Sequence, residues 1–510
     1  MPNPAGSRLA KPGLVGTILD FAVSAAPNRV AATLGERSVT FADVDRAANR
    51  MARALRALGV GRHDRVLFRS RLTLATLDLF MATQRIGATF VPLNPALSAD
   101  EAQQAAAYIR PRLFVADWDQ REVAESVGAA LALPVAVLGA QGRTVPGDDL
   151  DMRAAAASDA PLDDVAVDEE DIHAIFLTSG STGRPKGVML SHRASWLRAL
   201  LGASKSVTSG GGGELVTFPL FHWAGWSYVL DAWMHRRTVH FVESLDGDRI
   251  LSEVERWRPS LLYCIPSVWE RVLAVSHPYD ARSLRSTSTG TSRVDPRLIA
   301  RIRDRFPGSA CNVLYGSTEF GTALGLNDTE IDERPGSVGL PAPGKEARIV
   351  DGELWLRSDS MMTGYFDLPE QTAEVFRDGW YLSGDLAEQD ADGYLTITGR
   401  RREVIRSGGE TIAPAEVEAA LSSYPGLREV AVVGLPDPTW GEVVCAAVTL
   451  SPGAPCPDVN QLRQHVGSSL APFKHPRRVI AVESLPRTTA TGQIMRSSIR
   501  SSLLERQGDR

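Results

Sequence analysis

An α/β protein of more than one domain, with largely parallel sheets, is the fold class that this sequence predicts. Three observations lead there. At 510 residues the chain is longer than one ordinary hydrophobic core organises. A 44% hydrophobic content with 23% charged residues is that of a globular chain with a sizeable interior. From Thr40 to Ala116, stretches with helical spacing of apolar residues alternate with short apolar runs, which is the pattern of strands joined by crossover helices.

After a Pro- and Gly-rich leader, Thr40 can cap a helix whose apolar positions Val44, Ala48, Met51, Leu55 and Leu58 share one face, with Gly59 as its stop. A strand is expected over Arg65 to Phe68, a helix over Leu74 to Arg85 and a strand over Thr89 to Leu93. A helix near Ala99 to Tyr108 then leads to a strand over Arg112 to Ala116. The Asp- and Ala-rich stretch from Val145 to Asp171 reads as a surface connection, Ser191 as the cap of a helix through Leu201, and Gly210 to Gly213 as a flexible tip.

Composition excludes several function classes. The net charge of −6 gives no general attraction for nucleic acid, so none is expected as a partner. No apolar run approaches the roughly 18 residues of a membrane span, and the N-terminus lacks the basic-then-apolar layout of a secretory signal. A cytoplasmic monomer or homodimer is the expectation. Cys264, Cys311, Cys445 and Cys456 are far apart and form no Cys-x-x-Cys pair, so they read as reduced core or surface thiols.

The stretch with the most chemistry in it runs Thr178-Ser179-Gly180-Ser181-Thr182-Gly183-Arg184-Pro185-Lys186-Gly187, between the strand-like runs Ile172 to Leu177 and Val188 to Leu190. Small residues let backbone N–H groups and hydroxyls converge on an anion, and Arg184 and Lys186 supply positive charge. By composition alone a Gly/Ser surface turn is the commoner reading of such a stretch. Lysine is otherwise confined to Lys11, Lys205, Lys345 and Lys474, and Gly187 after Lys186 excludes a Walker loop, which needs a hydroxyl there for Mg²⁺. The stretch resembles the signature loop of the adenylate-forming enzymes, the superfamily of acyl- and aryl-CoA synthetases, peptide-synthetase adenylation domains and firefly luciferases.

That resemblance extends from Asn28 to Arg496 and assigns roles that single motifs leave open. Phe218-Pro219-Leu220-Phe221-His222-Trp223 puts one imidazole among apolar side chains, which by spacing alone is most often a structural histidine. The resemblance places His222 where the acyl pocket meets the thiol tunnel. Tyr315-Gly316-Ser317-Thr318-Glu319 reads as a strand leaving into a loop that presents an aromatic face, a hydroxyl and a carboxylate. An ATP site uses all three, and a solvated turn presents them too. The resemblance implies that Tyr315 stacks on adenine, Thr318 contacts the α-phosphate and Glu319 ligates Mg²⁺. Gly290-Thr291-Ser292-Arg293 departs from the Gly-Gly-Ala-Pro turn that lines adenine and acyl group in the family. Asp385 of Ser383-Gly384-Asp385, and Arg400 after Gly399, match the residues that reach the ribose.

By the same resemblance the fold is a large N-terminal domain, residues 1–401, of α/β subdomains plus a β-rich part, followed by a small mobile α+β lid, residues 402–510, with the active site between them. Arg402 stands at the hinge. Arg406, in Arg406-Ser407-Gly408-Gly409-Glu410-Thr411-Ile412, belongs to the loop that completes the thiol tunnel. The implied reaction is attack of an acid oxygen on the α-phosphate of Mg·ATP, release of pyrophosphate held by Thr178 to Lys186, and transfer of the acyl group to a thiol, with coenzyme A as co-substrate. His222, Trp223, Thr291, Leu314 and Gly316 would line the acid pocket. Because Trp223 follows His222 directly, Thr291 stands where a second glycine is usual and Leu314 stands where many relatives have a small residue, a small or compact aromatic acid is favoured over a fatty acid.

One position breaks the pattern. The family carries a lysine near the C-terminus that bridges the attacking carboxylate and the α-phosphate, and here Leu485-Pro486-Arg487-Thr488-Thr489-Ala490-Thr491-Gly492-Gln493 puts Gln493 in its place. A neutral amide donates hydrogen bonds but does not offset charge between two anions. Three readings stand open: Arg487 or Arg496 supplies the charge; the chain is a nucleotide-binding relative with adenylation lost; or the acid is unusual, such as nitrite. An amine or carrier-protein acceptor leaves the sequence unchanged and also stays open.

Overall fold

The computed structural model of the protein describes residues 13–145, 147–162, 164–178, 185–202, 212–291, 294–401, 403–407, 410–437, 439–467, 469–488 and 492–508. They form two compact units. The first takes in the chain up to Glu330 with Pro341–Glu346 and Arg357–Gly379; the second takes in Ile331–Leu340, Ala347–Leu356 and the chain from Trp380 onward.

Two sheets build the first unit. In one, the order is Gly364–Tyr365, Lys186–Ser191, Ile172–Thr178, Thr89–Leu93, Arg65–Arg69, Leu113–Asp117, Val135–Leu138, Asp148–Asp149. The strands from Ile172–Thr178 to Asp148–Asp149 are parallel; Lys186–Ser191 forms an antiparallel hairpin with Ile172–Thr178, and the edge strand Gly364–Tyr365 is antiparallel to it in turn. The second sheet runs from Gly321–Leu326 through Ala310–Ser317, Ser286–Gly290, Leu261–Tyr263, Glu214–Val216, Val239–Phe241 and Val30–Leu34 to Arg37–Thr40. Strands buried on both faces are continuous apolar runs, as Phe90, Val91 and Leu93 illustrate.

The expected elements appear within a residue or two. Thr40 caps the helix Phe41–Ala57 in a reciprocal capping box with Asp43, and Gly59 follows in a left-handed conformation. Strands at Arg65–Arg69, Thr89–Leu93 and Leu113–Asp117, and helices Ala75–Ile86 and Ala99–Ile109, complete the alternation. Ser191 accepts from Ala194 N–H ahead of the helix His192–Gly202. The connection expected over Val145 to Asp171 holds structure of its own: strand Asp148–Asp149 and helix Leu150–Ala155, because Asp149 caps the Met152 N–H and Leu150 is buried. Gly210 and Gly211 of the expected tip lie outside the described residues.

In the second unit, Trp380–Gln389 pairs antiparallel with Glu353–Arg357 on one side and with Leu395–Arg400 on the other. A further sheet places Glu410–Ile412, Ile405–Ser407, Gly441–Leu450 and Leu427–Asp437 in that order, with Arg478–Ala481 parallel to Gly441–Leu450. Side chains alternate across it. Val432, Val444, Ala446 and Val448 join a core with Val417, Leu421, Leu462 and Val466 of the helices Pro414–Leu421 and Val459–Val466. Ala431, Val433, Leu435, Val443, Cys445 and Ala447 pack on the other face against Ile499 and Leu503 of the helix Arg496–Gly508.

Cys264, Cys311 and Cys445 are buried and Cys456 is exposed, none in a disulfide. Burial pushes the Cys311 thiol up to about 11 and the Cys445 thiol up to about 12, which removes thiolate reactivity. No described helix is long and apolar enough to cross a membrane.

Candidate active site

In the first unit the phosphate-loop stretch is held at its neck. Thr178 and Lys186 are opposite each other at the end of the hairpin, and the Thr178 Oγ1 donates to the Lys186 carbonyl at 3.3 Å. Ser179, Gly180, Ser181, Thr182, Gly183 and Arg184 lie outside the described residues. The Lys186 ammonium sits 4.6 Å from the centroid of the Tyr365 ring, and the Tyr365 hydroxyl donates to Glu319 Oε1 at 3.1 Å. A cation and a carboxylate from distant parts of the chain are thus joined through one tyrosine.

Glu319 is held by its backbone as well. Its carbonyl accepts from Met362 N–H at 2.7 Å and from Arg198 Nη2 at 2.8 Å. Arg198 also donates to the Thr318 carbonyl at 2.9 Å and to the Ser360 carbonyl at 2.8 Å, so one guanidinium ties two remote segments to its own helix. It lies 5.0 Å over the Trp223 ring, which meets Phe176 edge-on at 5.7 Å. Burial pulls the Arg198 guanidinium down to about 9, against the opposing pull of the Glu319 carboxylate. Arg198 and Tyr365 hold this arrangement together, and motif reading assigns neither of them a role. A lone arginine between Leu197 and Ala199-Leu200-Leu201 is the signal for the first, since a charge in an apolar helix face needs partners.

His222 precedes the helix Trp223–Met234. Its half-buried ring packs on Phe221 at 4.5 Å, its buried Nε2 has no partner among the described residues, and desolvation pulls it down to about 4. The imidazole is neutral at ordinary pH and keeps one ring nitrogen for a ligand. Trp223 is buried.

Gly290 and Leu314 are register partners on adjacent parallel strands. A Cβ on Gly290 would stand 1.9 Å from the Leu314 carbonyl oxygen and 2.6 Å from the Tyr263 hydroxyl, so only glycine fits. Thr291 adopts φ 63°, uncommon for a β-branched residue, with its hydroxyl donating to the Gly290 carbonyl at 2.6 Å. Tyr263 packs with Phe218 and Tyr228 beneath this turn, at 5.2 and 5.7 Å. Tyr315 and Gly316 end the strand Ala310–Ser317, where a Cβ on Gly316 would meet the Gly321 carbonyl at 2.3 Å.

The second unit brings Asp385 and Arg400 together as register partners, with Arg400 Nε 3.0 Å from Asp385 Oδ1. Asp385 is buried, and the turn before it is pinned by Glu353, which accepts from the Gly384 N–H and from Arg401. Arg406 is exposed on Ile405–Ser407, its N–H donating to Glu442. Arg402, Gly408 and Gly409 lie outside the described residues. Gln493 is tied to Thr488: its carbonyl accepts from Thr488 N–H at 2.8 Å and its N–H donates to Thr488 Oγ1 at 3.1 Å.

Both neighbouring arginines are engaged. Arg487 donates to the Gly492 carbonyl at 2.7 Å and to Glu429. Arg496 grips both oxygens of Glu418, at 3.0 and 2.7 Å, and reaches Glu403 at 2.7 Å.

Residues 19–366 match the family model described as AMP-binding enzyme, and residues 416–492 match that of the AMP-binding enzyme C-terminal domain. The chain belongs to the AMP-binding enzyme family. Among curated relatives, a feruloyl-CoA synthase from an Amycolatopsis species is 34% identical over 93% of this chain and 96% of its own. An indoleacetate–CoA ligase from Aromatoleum aromaticum is 32% identical over 93% of this chain and 95% of its own. Among solved structures, ATP-bound MatB from Rhodopseudomonas palustris superposes with a TM-score of 0.87 at 28% identity, over 96% of this chain and 99% of that one. Two-part α/β architecture, with the large part first, is common to this chain and that structure.

Proposed function

We propose that the protein activates a small or compact aromatic carboxylic acid as an acyl-adenylate and passes it to coenzyme A. The observation that carries this reading is the Lys186–Tyr365–Glu319 arrangement, a loop lysine and a hard-oxygen carboxylate held in one frame. Similarity to aryl-acid CoA ligases supports the acid class.

The Glu319 carboxylate fits Mg²⁺. Its second oxygen accepts no hydrogen bond from the described residues, and no described cluster of three or more ligating side chains competes for a metal. Mg²⁺ on a nucleotide takes one or two carboxylates and fills its sphere with phosphate oxygens and water. When bound, it neutralises charge on the phosphates. Lys186 and the loop from Thr178 hold the β- and γ-phosphates, Thr318 the α-phosphate, Tyr315 and Gly290 the adenine, and Asp385 with Arg400 the ribose. An oxygen of the acid attacks the α-phosphorus, the bond to the bridging oxygen breaks, and pyrophosphate leaves. The thiol sulfur of coenzyme A then attacks the acyl carbon, and AMP departs. Neutral His222, with Nε2 available, orients a group at the acid. In this reading residues 402–510 turn about Arg402 between the two half-reactions and Arg406 serves the thiol passage. The enzyme works in the cytoplasm as a monomer or homodimer.

Trp223 under Arg198, the Tyr263 hydroxyl against Gly290, and Thr291 with its side chain folded onto the turn all take up volume that a long chain would need. The test is acid-dependent pyrophosphate release over a panel of benzoates, cinnamates, arylacetates and saturated fatty acids. Turnover should concentrate on the aromatic acids. Efficient use of a chain of about twelve carbons would overturn the pocket reading, since each methylene changes selectivity by roughly 10–200-fold.

A second reading rests on Gln493: with a neutral amide there and both nearby arginines engaged, adenylation runs with a weakened charge at that position, or serves an unusual acid.

A further inference from the structure

We infer that Tyr365 is a positioning residue for the metal-bound nucleotide, acting through Glu319 with its hydroxyl and through Lys186 with its ring. The inference rests on the nucleotide reading above and adds a residue that the motifs leave unassigned. Tyr365 lies on the edge strand Gly364–Tyr365, whose residues pair with Met189 and Val188 of the strand that begins with Lys186. Its N–H donates to Thr372 Oγ1 at 2.9 Å, and the side chain is buried. The tyrosine is therefore fixed to the strand carrying the lysine, while its hydroxyl reaches the loop after the strand Ala310–Ser317.

Two interactions of different kinds converge on it. The hydroxyl donates to one oxygen of Glu319 at 3.1 Å, which turns the carboxylate and leaves the other oxygen for a cation. The ring face carries the Lys186 ammonium at 4.6 Å. Arg198 and Met362 fix the Glu319 backbone but do not set the direction of its carboxylate; among the described residues only Tyr365 hydrogen-bonds it. Removing the hydroxyl alone should loosen the carboxylate and leave the lysine in place. Removing the ring should disturb both.

The experiment is calorimetric titration of ATP into wild type, Tyr365→Phe and Tyr365→Leu, each with excess Mg²⁺ and with the metal chelated. The gain in ATP affinity on adding Mg²⁺ should fall by about tenfold in Tyr365→Phe, as for loss of a hydrogen bond to a charged group. Metal-free ATP affinity should match wild type in that variant and fall severalfold in Tyr365→Leu. In pyrophosphate release, Tyr365→Phe should need more Mg²⁺ for half-maximal rate and recover most of the wild-type kcat when Mg²⁺ is raised. A merely structural residue would lower kcat at every Mg²⁺ concentration. If wild type binds no Mg·ATP, the nucleotide reading itself fails. If wild type binds it and Tyr365→Phe keeps the full Mg²⁺ gain, or loses metal-free binding equally, the positioning role is wrong.

Discussion

Two necks, one in each unit, make an informative pair. The neck at Thr178 and Lys186 closes a hairpin that belongs to a wide sheet, and the neck at Thr488 and Gln493 is closed by two hydrogen bonds beside an isolated bridge between Arg487 and Ile494. The first presents an ammonium on an aromatic ring. At the second the residue is a neutral amide, and the adjacent cations face Glu429, Glu418 and Glu403. One neck thus rests its cation on an aromatic ring, and beside the other both arginines are paired with carboxylates. The hydrogen bonds that hold the second neck use the Gln493 backbone, so they do not depend on whether its side chain carries a charge.

The largest effect should come from removing charge where it is presented. Lys186→Ala should lower acid-dependent pyrophosphate release on the order of 10²–10³-fold, measured at saturating Mg·ATP. Restoring charge at the other neck should act in the opposite sense: Gln493→Lys should raise the same rate by about tenfold or more. A flat response there would mean that Arg487 already supplies the charge, and Arg487→Ala would then be damaging.

Arg496→Ala should act on stability before activity. It leaves Glu418 and Glu403 without their shared partner, and because the site is part-exposed the loss should be about 2 kcal/mol, read from a denaturant midpoint. The first unit should respond to acid through its buried imidazoles. Burial pulls His192 down to about 4 and His173 well below its ordinary value, with rings 5.2 Å apart. The folded state favours the neutral rings, so their contribution is full above about pH 6.5 and is lost as pH falls toward 4. Thermal midpoints should drop through that window, and His192→Gln should reduce the slope. Arg487→Ala should be the smallest change, about 0.5 kcal/mol, as for a half-exposed ion pair.

Much of this was legible in the sequence where local chemistry decides the outcome. Thr40 with Asp43, Pro414 at the start of its helix, and the apolar runs around the phosphate loop each specify their element without help from distant residues. Asp385 and Arg400 were legible as motifs, but their pairing depends on strand register. The helix Leu150–Ala155 was hidden in an Asp-rich stretch, because Asp is read as a loop former and here serves as a cap. Arg198 and Tyr365 were hidden for a different reason. Their partners, Thr318, Glu319 and Ser360 for one and Lys186 and Glu319 for the other, come from remote segments, and no spacing in the chain records that closeness.

The central claim is that this chain joins an aromatic acid to coenzyme A through an adenylate. Mass spectrometry of products from ATP, Mg²⁺, coenzyme A and an aromatic acid panel tests it directly. The account predicts AMP, pyrophosphate and an aryl- or arylalkanoyl-CoA thioester in equal amounts, with the acyl-adenylate accumulating when coenzyme A is left out. ATP bound but unconsumed with every acid, or AMP formed with the acyl group on an amine in place of the thiol, would contradict it.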